Sequence, residues 1–273
     1  MKIDILTNNT VRKRNLLAEH GLSIRIEHQG FRILFDTGQS DVYCKNAARM
    51  GLDLKSTDAI VLSHGHYDHC GGLPSFPSAA LPEIYVHPAA FQPRFFGGHD
   101  EKSLREIGIP WTLADHPMIQ DKVIPVQKPT QIKSGITLCP QIPYTTDFEP
   151  IPDGFYRKEK GKRCRDSFQD EQILVIEDDG LFVFLGCSHP GVANCLHYIA
   201  TLFPQQHINL VIGGMHLMNA DCQRTQMTIQ YLKKLHITKI VPLHCTGFPA
   251  MAEMKRQLGD QCLLLNAGDS LEF

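Results

Sequence analysis

The chain lacks the features expected of a membrane or secreted protein. No apolar run approaches the length of a membrane span, and residues 1–15 lack the apolar core of a signal peptide. Its nine cysteines are odd in number and include no CxxC pair, which does not indicate a disulfide framework. We therefore expect a protein of the reducing cytosol, with no membrane partner.

The sequence also lacks an excess of charge of either sign. Its net charge is −2 at pH 7, and no module of basic and aromatic residues is visible, which argues against a nucleic-acid partner. One basic run, residues 157–165, is typical of a solvated loop. Attraction of an anionic substrate is the alternative interpretation of that run.

No internal repeat or low-complexity linker divides the 273 residues, of which 42% are hydrophobic. We therefore expect one domain, 1–273. Residues 97–165 are rich in proline, glycine and charge, and we expect them to form an irregular insert or cap.

Apolar patterning outside this insert predicts sheets covered by helices. The alternating or continuously apolar segments predict strands at 2–6, 22–28, 31–38, 59–63, 172–177, 181–186, 208–213, 237–244 and 262–266. The amphipathic segments predict helices at 41–50, 192–203, 223–235 and 250–258. Turns at 29–30 and 178–180 join hairpins.

The segment SHGHYDHCGG, residues 63–72, follows a predicted buried strand. In an extended chain His64, His66 and Asp68 would point the same way, and the glycine pair would let His69 join them. These positions would diverge on a helix, so we expect a strand end followed by a loop. Imidazole and carboxylate donors suit zinc, and also iron or manganese. Four donors in six residues exceed the needs of one open site and favour two ions.

Three further histidines follow predicted strands: His189, His216 and His244. Ligand sites in open α/β sheets gather beyond the carboxyl ends of strands. Any one of these histidines alone would be typical of a structural residue. Together with the segment 63–72, they predict a metal site.

The motif HGHYDH matches the HxHxDH pattern of the metallo-β-lactamase superfamily, and FDTG, at 35–38, matches its preceding strand. The segments EHGLS, TDFE, GCSHPG, GGMHL and PLHCTG resemble the branch of 7,8-dihydropterin-6-methyl-4-(β-D-ribofuranosyl)aminobenzene-5′-phosphate synthase-like proteins. The resemblance extends from about Ile3 to Gly268. It implies an α/β (α+β) fold, a four-layer αββα sandwich with a dinuclear site at one edge of its two sheets.

The resemblance also implies roles for individual residues. One ion would be bound by His64, His66 and His189, and a second by Asp68, His69 and His244. Two divalent ions, zinc before iron or manganese, would lower the pKa of a bridging water and so supply a hydroxide nucleophile. Asp36 would hold the histidine segment through hydrogen bonds, with a plain turn residue as the alternative.

Two positions depart from the family pattern. Many members place a bridging aspartate where this chain has Cys187, so the bridge is absent or supplied by a thiolate, and one site is expected to be weak. Tyr144 stands where the branch commonly has a basic residue, which removes one expected contact to phosphate.

Other residues are candidates for contact with the substrate. We interpret His216 as an oxyanion or proton donor, and we count it with Asp68 among the catalytic residues; a metal ligand and a structural residue are the alternatives for His216. The substrate-facing candidates are Glu19, His20, Asp147, Glu149 and Cys187. Capping of a loop is the alternative for Asp147 and Glu149.

The leading functional expectation is a metal-dependent hydrolase acting on a small anionic substrate, a phosphate ester or a pterin-like compound. A mono-iron oxidoreductase of the same fold is the first alternative, because Cys187 removes the usual bridge. A diiron reductase is disfavoured, since that form tends to place a carboxylate where His66 stands. A metal-binding sensor without turnover is the second alternative.

Overall fold

A computed structural model describes residues 1–77, 79, 81–98, 103–159 and 161–273. The strands run in chain order as follows: β1 Lys2–Thr7, β2 Ser23–His28, β3 Phe31–Phe35, β4 Ala59–Val61, β5 Glu83–Val86, β6 Arg94–Phe96, β7 Arg105–Glu106, β8 Val123–Pro125, β9 Thr130–Lys133, β10 Ile136–Pro140, β11 Phe155–Glu159, β12 Lys162–Arg165, β13 Gln172–Glu177, β14 Leu181–Leu185, β15 Ile208–Gly214, β16 Lys239–Leu243 and β17 Ser270–Glu272. The α-helices are α1 Val42–Arg49, α2 Tyr67–Cys70, α3 Pro117–Gln120, α4 Val192–Leu202, α5 Cys222–Lys234 and α6 Phe248–Leu258.

The chain forms two compact units. Unit 1 consists of Met1–Val126, Asp153–Asp166 and Asn266–Phe273, and unit 2 of Gln127–Pro152 and Ser167–Leu265. Unit 1 is therefore assembled from three separate stretches of sequence.

The larger sheet of unit 1 has the order β17-β1-β2-β3-β4-β5-β8. Strands β1 to β3 are antiparallel, whereas β3, β4, β5 and β8 run parallel. The β2–β3 hairpin turns at Gln29 and Gly30, both with positive φ, as a two-residue turn with this twist requires. Helix α1 buries Tyr43 and Ala47 in the adjoining apolar core. The parallel arrangement brings the ends of β3 and β4 to the same edge of the sheet.

A smaller sheet of unit 1 has the order β12-β11-β6-β7. The basic run 157–165 lies mostly in its β11–β12 hairpin, with Arg157 opposite Cys164; residue 160 is outside the described residues. Strands β7 to β12 fall within 97–165, where sequence patterning predicted no regular elements. They are short, and β7, β9 and β12 contain no buried residue, so an apolar alternation does not mark them in the sequence.

The sheet of unit 2 has the order β16-β15-β14-β13-β10-β9. Strands β14, β15 and β16 are parallel neighbours, joined by helices α4 and α5. Every residue of β14 is buried, which explains its continuous apolar sequence. The core of this unit includes Val183, Leu196 and Ile229.

Two local predictions are wrong. Residues 262–266 do not form a strand; only an isolated bridge pairs Ile240 with Cys262. The segment after His66 is not extended, because Tyr67–Cys70 forms the single turn of α2. One turn is too short for a helical period to be visible in the sequence. No helix among the described residues combines the length and the apolar character needed to cross a bilayer.

Candidate metal centre

In unit 1, the histidine segment 63–72 is anchored by one buried carboxylate. Asp36 follows β3 directly, next to the segment that follows the parallel strand β4. Its Oδ1 accepts a hydrogen bond from the backbone N–H of Ser63 (2.7 Å), and its Oδ2 accepts one from the Ser63 hydroxyl (2.7 Å). The same Oδ2 lies 2.6 Å from Nδ1 of His69. Asp36 therefore holds both ends of the segment, which is the hydrogen-bonding role that the resemblance implied.

The contact with Asp36 also determines which nitrogen of His69 faces a ligand. A carboxylate only accepts hydrogen bonds, so Nδ1 of His69 donates and Nε2 carries the lone pair that a metal would use. Nε2 lies 4.0 Å from Oδ2 of Asp68. The centroids of the His64 and His69 rings are 4.2 Å apart. Nε2 of His64 lies 3.0 Å from Nδ1 of His66. The four predicted donors of the motif are therefore neighbours, even though α2 replaces the expected extended chain.

The two neighbouring candidates of unit 1, Glu19 and His20, differ in their contacts. Nε2 of the exposed His20 lies 3.1 Å from Oδ2 of Asp68, beside a ligand candidate. Glu19 accepts hydrogen bonds from the backbone of Gln39 and Ser40 and from the Ser40 hydroxyl (3.0, 3.2 and 2.6 Å). Glu19 therefore braces the turn after FDTG, and His20 is the one of this pair in contact with a ligand candidate.

In unit 2, a second group of donors lies beyond the parallel strands β14, β15 and β16. We call it the strand-end cluster; its members are Cys187, His189, His216, His244 and Cys245. One ligand atom from each of Cys187, His189 and His216 lies within 4.8 Å of the others, and the same holds for Cys187, His244 and Cys245. Strand pairing explains the grouping, because Leu185 is in register with Gly213 and Gly214 with Leu243. These candidate ligands therefore lie beyond the carboxyl ends of parallel strands, as the sequence analysis predicted.

Glu171 is a site residue that sequence reasoning missed. Its carboxylate accepts hydrogen bonds from the backbone N–H groups of Ser188 and His189, and lies 2.9 Å from Nδ1 of His189. Burial raises the pKa of Glu171 to about 7, although these two backbone donors act in the opposite direction. By the reasoning applied to His69, Nε2 of His189 is left for a ligand. The hairpin register was the available signal, since the residue before β13 lies opposite those that follow β14.

Cys245 is the second residue whose position the sequence did not reveal. Its Sγ donates to the backbone oxygen of Cys187 (3.4 Å). Burial acts to raise the thiol pKa, but hydrogen bonds with Cys187 and His216 and the charges of His244 and His216 hold it well below its ordinary value. The side chain is buried.

Strained backbone occurs at four positions among or beside these donors. The non-glycine residues Asp36, Ser188, His216 and His244 have φ values of 58°, 57°, 47° and 49°. Such conformations cost about 1–3 kcal/mol each and persist where surrounding contacts impose them. Each of these residues is a candidate ligand or lies within one residue of a strand end or a ligand candidate.

The two acidic candidates before α4 differ in their surroundings. Glu149 is buried, and its carboxylate accepts from the backbone N–H groups of Ala193 and Asn194 (3.1 and 2.9 Å), so it caps α4. Burial raises its pKa, against these hydrogen bonds. Asp147 is exposed. The hydroxyl of Tyr144 donates to the backbone oxygen of Ser167 (3.4 Å).

The donors of each unit fit divalent transition metals. Unit 1 offers imidazole nitrogens and one carboxylate, and unit 2 offers imidazole nitrogens and thiol sulfur, which are the ligand types of zinc and iron sites. The buried partners Asp36 and Glu171 orient one imidazole in each unit, as carboxylates commonly do beside metal-bound histidines.

The α/β fold, the candidate ligands at strand ends and the HxHxDH motif together define a class of proteins. A family model described as the metallo-β-lactamase superfamily matches residues 17–159. The chain belongs to this superfamily, and the expected fold class is confirmed.

Three relatives illustrate the similarity. The chain is 32% identical to the 7,8-dihydropterin-6-methyl-4-(β-D-ribofuranosyl)-aminobenzene-5′-phosphate synthase of Methanocaldococcus jannaschii, over 94% of this chain and 90% of that protein. It is 31% identical to an uncharacterized protein of the same organism, over 93% and 94% of the two chains. A solved structure, a metal-dependent hydrolase of the β-lactamase superfamily, matches with a TM-score of 0.84 and 30% identity, covering 100% of this chain and 99% of the other. The resemblance to the synthase-like branch is thereby confirmed.

Proposed function

We propose that this protein is a metal-dependent hydrolase acting on a small anionic substrate, a phosphate ester or a pterin-like compound. The observation that supports it best is the burial of all six assigned ligands, none more than 6% exposed. Imidazoles and carboxylates are rarely buried to this extent without a charged or hydrogen-bonded role. Metal-binding histidines are commonly buried, with a carboxylate that fixes the tautomer and orientation of the ring, and this arrangement is present here.

The proposed ligands are those that the resemblance assigned: His64, His66, Asp68, His69, His189 and His244. Two divalent ions, zinc in the first instance, would lower the pKa of water and supply hydroxide near neutral pH. Asp36 keeps Nδ1 of His69 protonated and Glu171 does so for His189, so both rings present Nε2. His216 is the proposed donor of a proton or hydrogen bond to the substrate.

Two observations support the proposed substrate class and reaction. The similar synthase of Methanocaldococcus jannaschii carries a phosphate and a pterin in its name, and a similar solved structure is a metal-dependent hydrolase. We propose a small-molecule partner in the cytosol and no membrane partner. We propose no nucleic-acid partner, because the chain carries a net charge of only −2. Glu19, His20, Asp147, Glu149 and Cys187 remain the candidates for contacts with the substrate.

The test combines metal analysis with hydrolysis. Protein purified without added metal is analysed by inductively coupled plasma mass spectrometry. It is then assayed on p-nitrophenyl phosphate and bis-p-nitrophenyl phosphate before and after chelation. We expect bound zinc, hydrolysis of at least one probe, loss of that activity on chelation and recovery with zinc.

Two other results would replace this proposal. Stoichiometric iron with no hydrolysis would favour the mono-iron oxidoreductase, which the thiol at Cys187 supports because the usual bridging carboxylate is missing. Bound metal without turnover of either probe, or of pterin phosphates, would favour a sensor.

A further inference from the structure

Cys187 occupies a central position in the strand-end cluster. Its sulfur belongs to both groups of close donors, one with His189 and His216 and the other with His244 and Cys245. A sulfur at this point can therefore reach ligands from β14, β15 and β16 alike.

Cys245 is placed beside it by close packing. A Cβ added to Gly214 would lie 2.6 Å from the Cys245 sulfur, so the glycine leaves the space that this sulfur fills. Its Sγ contacts the backbone oxygen of Cys187 at 3.4 Å. Both cysteines are buried, at 3% and 8% exposure, and their sulfurs lie within 4.8 Å of each other and of a ring nitrogen of His244.

We propose that Cys187, Cys245 and His244 bind one metal ion as two thiolates and one imidazole, a site supplied by unit 2. Three protein ligands with an open position are typical of catalytic zinc, and Cys2His is one of the known sets. Two sulfur ligands also shift preference towards softer ions than an all-histidine and carboxylate set would bind. The inference rests on the proposed metal centre; it moves Cys187 from the proposed substrate contacts to the ligands and adds Cys245 beside His244.

Cobalt substitution tests the inference without any assay of activity. Thiolate ligation gives Co²⁺ an intense near-ultraviolet charge-transfer band, whereas imidazole and carboxylate ligation does not. Reduced, metal-free protein is titrated with Co²⁺, and bound cobalt is counted separately. We expect the band in the wild type, a weaker band in Cys187→Ser and in Cys245→Ser, and no band in the double variant. Cys262→Ser, also buried and in the same unit, is the matched control and should keep the full band.

The outcomes separate this inference from the proposed function. Stoichiometric cobalt without the band, or an unchanged band in Cys245→Ser, would overturn the thiolate site and leave the metal centre in place. Failure of the wild type to bind cobalt or zinc would overturn both. Should Cys245→Ser not fold, alkylation of the wild type followed by mass spectrometry decides. Cys245 must be protected by zinc and become reactive on chelation, and equal labelling in both states rejects the site.

Discussion

Glu171 is the residue whose partners define its role most narrowly. One carboxylate accepts two backbone N–H groups and the Nδ1 proton of His189, so it fixes both the loop and the ring. The resemblance implied that His189 is a metal ligand, but it implied no role for residue 171. Reasoning along the chain found the ligand candidates because their residue types are distinctive. It missed their carboxylate partner because a glutamate before a strand is common.

Glu171→Gln should weaken metal binding without unfolding the protein. An amide has only one acceptor oxygen, so His189 loses part of its orientation. We expect metal affinity to fall about 10–100-fold, the usual effect of removing such a partner. Chelator competition measures it. Glu177→Gln, at the other end of β13, is the matched control and should bind metal as the wild type does. An unchanged metal affinity in Glu171→Gln would mean that the carboxylate only holds the backbone of Ser188 and His189.

His216→Asn separates chemistry from metal binding. The residue lies two positions beyond β15, with its ring 4.6 Å from the ring of His189 between centroids. If His216 donates to the substrate, the variant should retain its metal, and its kcat should fall about 10²–10³-fold. Metal analysis and steady-state kinetics on the responsive phosphate probe are the measurements. Loss of a metal would make His216 a ligand, and unchanged kinetics would make it structural.

At the scale of elements, the sequence predicted best those strands that are buried on both faces. The continuous apolar runs of β13, β14 and β15 left little ambiguity, and the glycine turns fixed the hairpins. Prediction failed where the hydrophobic pattern is absent or too short. Helix α2 is a single turn beside the contact between Asp36 and His69. Strand β7 consists of two residues, both of them exposed. Such elements form because neighbouring strands supply partners, which no local pattern encodes.

The entry to α4 depends on a close approach between Gly191 and Glu149. Gly191 has φ 100°, and a Cβ there would lie 2.1 Å from Oε2 of Glu149, the carboxylate that caps the helix. Gly191→Ala should therefore lower the free energy of unfolding by more than the ~1–2 kcal/mol of a left-handed alanine. Gly51→Ala is the matched control, because Gly51 has φ 71° and open space around it. Urea unfolding compares the two variants. Equal losses would mean that Glu149 moves aside without cost.

At the scale of the whole molecule, the division into units is the feature that patterning could least reveal. Residues 153–166 and 266–273 return to unit 1 after long stretches that belong to unit 2. The sequence of a strand such as β11 does not indicate that it will pair with β6. The resemblance to a known family supplied the fold class, whereas composition and periodicity alone reached only sheets covered by helices.

Strand β17 pairs with β1 across a long sequence separation, with Lys2 opposite Glu272. This pairing has a consequence for synthesis on the ribosome. At about 5–20 residues per second, ~270 residues separate the emergence of the two strands by roughly 13–55 s. Throughout that interval β1 can pair with β2 but is an open edge on its other side, and open edges invite pairing with foreign chains. Unit 2, which ends at Leu265, can complete its own sheet before β17 appears. The second sheet can therefore be complete before the first.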